Sequence, residues 1–523
     1  MKKKFFFLPL FAALVFTGCS TDEDGLNGNN EDENKGYGYV AVNIVQPKSI
    51  GTRAASDGFE YGSNDENKAE IGLFFIFNTE GNTMYGNPQR LSLTDTENTG
   101  SPEVEKIYNS VLVIDGVSTK PENLQIVCVL NAPVGLETGI TTLDALTEKT
   151  ADYSTHNPGT FIMTNSVYKD GQTKVLGATV EEGNIAKSAA AALASPVEIY
   201  VERVVAKVRA KSDNSFNNQG AKPEVDGTEK TLNIHVTGIE IANIAQTSYL
   251  LKNIEGITYN WAWDASNKRS YWETVPTDLT YGNKSYNQIA TSDFDIQNVN
   301  YTEYIQPNTS DQKTAVLVTA ELLDGTTPFD FVYLRGGYFK PDNALALIAD
   351  YVANNGYWKK TGDNTYSQLA KDDFEWENNK DNTTLTWLES YEVVAKVKAG
   401  IEMYKKDGDS YTSVNLNEVN SLLSGNAESH PYVARYYKEG KCYYFVNIDQ
   451  SSVASATAHT YDGVVRNHIY ELALNSIQGI GTPVFDPEDV IIPEKPEDET
   501  LWYLAARINV LAWKLVSQAI DFN

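Results

Sequence analysis

Residues 501–523 read LWYLAARINVLAWKLVSQAIDFN, a β-forming run that gathers Trp502, Leu504, Ile508, Val510, Leu511, Trp513, Leu515 and Val516. Just ahead of it, Ile480 to Glu499 carries Pro483, Pro487, Pro493 and Pro496 among Asp and Glu, the composition of an extended, semi-rigid linker. A hydrophobic strand tethered in this way is too short to be a domain. It must return to its own core or fill the core of another molecule. A β-sandwich lacking one strand presents a groove with unpaired ladder groups and apolar walls. A strand from a second molecule can fill that groove, the main chain giving affinity and alternate side chains giving specificity. Four or five buried apolar side chains contribute roughly 6–15 kcal/mol gross, at about 1.5–3 kcal/mol each. Donor and groove lie on different surfaces, so the contact runs head to tail and propagates as a filament unless its rotation closes a ring. By alternation Ile508 and Val510 share one face while Leu511, Trp513 and Leu515 share the other, which leaves both faces open as the one that enters a groove.

The other end of the chain says where it travels. Lys2, Lys3 and Lys4 precede an apolar run from Phe5 to Phe16 and then Thr17-Gly18-Cys19. That is a secretory signal over residues 1–18, too short to stay as a membrane helix, with a Cys placed as in a bacterial lipobox. Cys19 is therefore the expected lipidation site and mature N-terminus. Ser20 to Lys35 is a solvated tether of Asp, Glu, Asn and Gly, and Tyr37 to Val45 reads as a first strand. Ile50 to Gly58 is small and polar, like an exposed cleavable loop, and Arg53 is the only Arg in the first 89 residues. A cut between Arg53 and Ala54 would release the first strand, and the C-terminal strand could replace it.

Between the ends, most segments alternate as strands: Gly72–Phe77, Leu124–Leu130, Val197–Val208, Leu232–Ile241, Thr314–Leu323, Phe331–Leu334, Tyr432–Tyr437, Cys442–Ile448 and Ile469–Ile477. Arg335 to Tyr338 and Lys438 to Lys441 read as hairpin turns. Helices are expected over Asn184–Ala194, over Asp342–Asn354 with Asp342 as cap, and over Leu416–Leu423. A cluster of Asn, Gly, Ser and Lys from Lys211 to Thr228 divides two strand-rich halves. The expected organisation is mainly β: a propeptide with the first strand (19–53), an N-terminal body (54–211), a C-terminal body (212–479), a linker (480–500) and a donor strand (501–523).

Composition narrows the function. In 523 residues, 70 acidic against 42 basic side chains give a formal charge of −28, which argues against nucleic acid and anionic lipid surfaces as partners. The 31 Tyr favour β-structure and amphipathic surface. Catalytic patterns are missing: the five His, at 156, 235, 430, 459 and 468, include no zincin spacing, and His235 falls in a strand as a structural histidine would. Asp407-Gly408-Asp409 lacks the remaining ligands of a calcium loop, and no nucleophile elbow, P-loop or dinucleotide fingerprint is present. Cys128 and Cys442 sit in apolar strands and read as buried thiols rather than a disulfide. No metal, cofactor or catalytic site is expected. Trp261-Ala262-Trp263 and Trp376 could stack on sugars or simply pack. A surface glycan-binding lipoprotein is the alternative function; a glycosidase has no carboxylate pair that stands out.

The chain resembles the major-subunit family of the short (minor) fimbriae of Bacteroidales, the type V pili. The resemblance rests on Phe16-Thr17-Gly18-Cys19, on Thr52-Arg53-Ala54, and on Val201-Glu202-Arg203-Val204-Val205-Ala206-Lys207. Two late segments complete it: Val464-Val465-Arg466-Asn467-His468-Ile469-Tyr470 and Asn509-Val510-Leu511-Ala512-Trp513-Lys514-Leu515. It touches both ends and both domain junctions; the middle matches in general character. It implies two transthyretin-like β-sandwich domains, a lipoprotein precursor at the outer membrane, cleavage after Arg53 by an Arg-specific protease, and donor-strand polymerisation. The product would be a non-enzymatic shaft subunit of a surface fimbria supporting adhesion and biofilm. Its partners would be other copies of itself, accessory tip and anchor subunits, and host or bacterial surface ligands. Ala512 stands where the family often has Pro, so the ladder around Leu511 and Ala512 is expected to pair differently.

Overall fold

The computed structural model describes residues 37–47, 62–96, 104–117, 121–152, 157–379, 392–424, 432–449, 462–493, 502–511 and 516–518. The chain is mainly β with a few short helices, as its composition suggests. In the first body the main strands are β1 (Tyr37–Pro47), β2 (Ile71–Asn78), β3 (Gln89–Ser92), β4 (Thr94–Thr96), β5 (Val104–Val117), β6 (Leu124–Leu130), β7 (Met163–Asn165) and β8 (Val197–Arg203). They form one continuous sheet in the order β3-β2-β6-β7-β8-β1-β5-β4 that folds over its own core. Val40, Val42 and Ile44 of β1, Phe74 and Ile76 of β2, Ile126 and Cys128 of β6, and Ile199 of β8 meet inside it. β2 and β6 are apolar almost without interruption because both their faces are covered. Leu73, Phe75, Phe77, Val127 and Val129 pack outward under Leu143 and Leu146 of a short helix and under Leu250 and Leu251 of the following half.

The second body is a sandwich. Its strands are β9 (Ala206–Gly220), β10 (Asn233–Ala242), β11 (Asn300–Ile305), β12 (Ala315–Asp324), β13 (Lys441–Asn447), β14 (Ile469–Gly479), β15 (Trp502–Leu511) and β16 (Val516–Gln518). One sheet runs β11-β9-β14-β15-β16; the other contains β10-β12-β13 and ends on Thr482–Pro483. The period of two is plain in β9 and β14: Ala206, Val208 and Ala210, with Tyr470, Leu472 and Leu474, enter the core. On the outer face Arg209 Nη2 donates to Glu471 Oε2 at 2.9 Å.

A third apolar cluster joins the Pro341–Asn354 helix to strands 331–334, 392–397 and 434–437, with a smaller sheet (365–367, 357–362, 403–407, 410–414) on the other side. Ala344, Leu345, Ile348, Ala349 and Val352 make one buried stripe along this helix.

Several local expectations change. Val197–Val208 is two strands rather than one, broken at Val204-Val205 as the chain leaves one sheet for the other. Val205 belongs to the first core and Ala206 to the second. The polar stretch from Lys211 is strand as far as Gly220. Arg335-Gly336 is a hairpin turn, with φ of 52° and 81°. Lys438–Lys441 is not: strand 434–437 pairs with 331–334, β13 pairs with β12, and the turn carries the chain between sheets. Of the expected Asn184–Ala194 helix only Ala189–Ala192 is α-helical, Asn184 instead ending a 3-10 turn, and of the Leu416–Leu423 helix Leu416–Asn420 is. The long helix begins at Pro341 with Lys340 as cap; Asp342 lies in its first turn. Cys128 and Cys442 are buried free thiols; burial raises both, and the Glu321 carboxylate adds to it at Cys442 against a hydrogen bond with Tyr444, which leaves Cys442 at about 12.

Candidate strand-exchange site

β1 lies in the middle of its sheet. It runs antiparallel to β5, with Val40 opposite Leu112 and Val45 opposite Ile107, and parallel to β8, with Val42 opposite Val197 and Ile44 opposite Ile199. Both its backbone edges are therefore used. Val40, Val42 and Ile44 are no more than 1% exposed, and their burial contributes roughly 5–9 kcal/mol gross. At its exit Gln46 Nε2 donates to Asn67 O at 3.0 Å, which ties the strand to the segment that resumes beyond Ile50–Gly58. Removing β1 would leave a slot lined by the open edges of β5 and β8.

β15 sits at the opposite extreme. It pairs antiparallel with β14 over its whole length, Leu511 opposite Ile469, Val510 opposite Tyr470 and Ile508 opposite Leu472. On its other side, among the described residues, it pairs with only the three residues of β16, at Ile508, Asn509 and Val510. The tail thus rests on its own sheet, one of the two outcomes that the sequence leaves open. The linker ahead of it is docked further than its prolines suggest. Ile480, Val484 and Ile491 are buried, Ile491 N donates to Lys284 O at 3.0 Å, and Pro493 O accepts from Asn243 Nδ2 at 2.9 Å. Eight residues, 494–501, separate that anchor from β15, a reach of roughly 26–29 Å when extended.

The segments Val201–Lys207 and Val464–Tyr470, far apart in sequence, meet where the two bodies join. Arg203 Nη1 donates to Asn467 Oδ1 at 3.1 Å, Asn467 N to Val205 O at 2.7 Å, and Lys207 N to His468 O at 2.9 Å. Arg466 is fully buried: its Nε and backbone N donate to Glu273 at 2.8 Å, and its Nη1 and Nη2 to Leu250 O and Tyr249 O. Lys252 Nζ donates to Glu202 Oε2 at 2.8 Å and to Ser270 O at 3.0 Å. Burial pushes Glu202 up and Lys252 down, each towards its neutral form.

Glu66 completes this junction and was invisible as a functional residue in the sequence. Lys207 Nζ and Tyr304 OH both donate to its Oε1 at 2.7 Å, and Ser63 N to its Oε2 at 2.5 Å. Burial pushes the carboxyl up, but the Lys207, Tyr304 and Ser63 hydrogen bonds outweigh it and bring it to about 2. Beside it Asn67 accepts from Arg203 Nη2. The one signal for this anchor is local: Ser63 and Glu66 stand three apart and bond reciprocally, as a capping box does.

Of the residues singled out from the sequence, Cys19, Arg53, Ala54, Trp513 and Leu515 lie outside the described residues, and Ile508, Val510 and Leu511 lie on β15. The Trp261 group packs on itself: Trp261 stacks on Tyr259 at 5.5 Å and meets Trp272 edge-on at 5.8 Å, while Lys169 Nζ covers Trp263 at 4.4 Å. Trp376 lies edge-on to Tyr436. His235 is a strand residue 3.7 Å from Glu321.

Comparison with known proteins bears out the resemblance at the end where it was strongest. Residues 435–519, which include β13, β14, β15 and β16, match the family described as major fimbrial subunit protein type IV, fimbrillin, C-terminal. No curated protein matches the chain. Among solved structures it is similar to a candidate cell adhesion protein of Parabacteroides distasonis, at 14% identity and a TM-score of 0.44 over 92% of this chain and 99% of that one. It is similar also to a candidate cell adhesion protein of Bacteroides eggerthii, at 12% identity and 0.36 over 94% and 100%. The tip fimbrial protein Mfa3 of Porphyromonas gingivalis, with a C-terminal truncation, aligns at 11% identity and 0.33 over 91% and 100%.

Proposed function

We propose that this chain is a structural shaft subunit of a cell-surface fimbria, exported as a lipoprotein through Cys19, cut between Arg53 and Ala54, and polymerised by strand exchange. The observation that carries the reading is the unequal seating of the two ends. β1 fills the centre of a sheet and is followed in sequence by a small, polar stretch with a single Arg, whereas β15 holds one full-length partner and follows an anchor at Pro493. The fimbrillin match over 435–519 supports it.

In the proposed cycle the cut leaves β1 held only by non-covalent contacts. Its departure opens a slot that wants three inward apolar side chains at alternate positions. The tail carries such a set, Trp502, Leu504, Ile508 and Val510 at even positions around Ala506, with Leu511, Trp513 and Leu515 on the opposite parity. To be taken up, β15 leaves its single long ladder with β14. It then gains two, since the slot has open edges on both sides. The two bodies, which meet where the chain passes from one core to the other at Val205-Ala206, are the proposed mature domains, and tip and anchor subunits and surface ligands are the proposed partners. Residues 20–523 tested by size-exclusion chromatography and unheated gel electrophoresis should give a ladder only after Arg-specific proteolysis, and none without residues 501–523. A ladder that forms without the tail, or monomer under every assembly condition after clean cleavage, sinks the proposal.

A further inference from the structure

The small sheet beside the Pro341–Asn354 helix turns two different faces outward and inward. Tyr357 and Met403 point to the helix and are buried. Trp358 pairs with Tyr404, Lys360 with Tyr366, and Lys406 with Tyr411, so these six residues share the opposite face. There Trp358, Tyr366, Tyr404 and Tyr411 remain half-buried and exposed to solvent, although none is required by the core. Their rings are mutually ordered. Tyr366 stacks on Tyr411 with centroids 4.0 Å apart and planes 7° from parallel, Trp358 meets Tyr411 edge-on at 5.7 Å, and Tyr404 meets Tyr366 edge-on at 4.8 Å. Lys406 Nζ stands 4.8 Å from the Trp358 ring centroid. Glu402 accepts from Tyr404 OH at 3.5 Å and lies 3.4 Å from Lys360 Nζ.

We propose that this platform binds a neutral polysaccharide. Flat aromatic faces take the C–H faces of pyranose rings, and the surrounding ammonium, carboxylate and phenol groups supply donors and acceptors for hydroxyls. Charge selects the class. Lys360 is matched by Glu402, Lys406 is held over the Trp358 and Tyr411 rings, and the whole chain carries −28, a field that repels uronic-acid and sulfated polymers. A filament of such subunits would repeat the platform at every step, so that weak single contacts add through multivalency. The inference goes beyond the structural role and stands apart from strand exchange, since none of these residues lies on β1, β5, β8, β14 or β15.

The test is native affinity electrophoresis of residues 20–523 in gels containing galactomannan, laminarin or dextran, with hyaluronan as the anionic comparison. At least one neutral polymer should retard the protein. Trp358→Ala and Tyr411→Ala should each weaken retardation ten-fold or more, Trp358→Phe should retain most of it, and Trp261→Ala should leave it unchanged. The variants at Trp358 and Tyr411 should keep a cooperative melting transition, and all four should still form the proteolysis-dependent ladder, which separates failure here from failure of the fimbrial reading. No retardation by any neutral polymer, retardation indifferent to Trp358→Ala, or binding to hyaluronan alone overturns the proposal. So does a dimer that Trp358→Ala dissolves, since a second copy would then own this face.

Discussion

The first described strand and the long C-terminal strand β15 are alike in sequence and opposite in circumstance. Both alternate apolar residues over about ten positions. β1 is enclosed by β5 and β8 with its inward side chains sealed, whereas β15 lies outside β14 with, among the described residues, a three-residue strand beyond it. Alternation therefore identifies a strand without saying whether its loss would open a core or merely shorten a sheet. That difference is what strand exchange needs: a slot that cannot stay empty, and a strand that can leave.

The comparison breaks most decisively by deletion. A chain beginning at Ala54 should fail to give a cooperative first body by near-UV circular dichroism, and a peptide of residues 37–47 supplied in trans should restore it. A chain ending at Glu499 should instead remain a folded monomer. If the two deletions behave alike, the contrast between the ends is wrong. At the junction, Arg466→Ala should cost about 3–5 kcal/mol in urea unfolding by stranding Glu273, while the paired change Arg466→Met with Glu273→Met should recover most of it. Within β1, Ile44→Ala should cost about 2–5 kcal/mol.

Acid sharpens the contrast further. Glu66 has its folded value lowered from 4.5 to about 2. The stability it contributes, about 3 kcal/mol, is complete above pH 4.5 and is lost as pH falls through the folded value near 2. Glu66→Gln should flatten the unfolding profile between pH 4.5 and 2, and the same titration should leave the β14–β15 ladder untouched. The smallest effect is expected from Arg209→Ala, which removes a partly exposed pair with Glu471 and should change stability by under about 1 kcal/mol.

Much of this was legible because it depends on near neighbours. The runs Leu124–Leu130 and Ile469–Ile477 declare themselves by composition, and Arg335-Gly336 declares its turn by its need for positive φ. What escaped was long-range. Val197 to Val208 reads as one strand because every residue suits a strand; only the packing of two cores on either side of Val204-Val205 breaks it. Lys438–Lys441 has the residues of a hairpin turn, but its flanking strands find better partners in 331–334 and β12. Glu66 is one of 70 acidic residues in the sequence, and only the fold brings Lys207 and Tyr304 to it, from 141 and 238 residues away. The Trp358 platform hid in plain alternation, Tyr357 inward and Trp358 outward, because one sequence cannot say which face of a small sheet meets a helix.

By itself the sequence determined that the chain is mainly β, that many of its strands alternate apolar and polar residues, and that a strand follows a proline-rich acidic stretch. These follow from side-chain periodicity and backbone restrictions, which act over a few residues. Only the tertiary structure decided that β1 is central and β15 peripheral, that the linker is held as far as Pro493, and that Arg203, Asn467 and Glu66 share one junction. Those outcomes depend on which distant strands compete successfully for each backbone edge and which buried charges find partners, and neither is settled until the whole chain has packed.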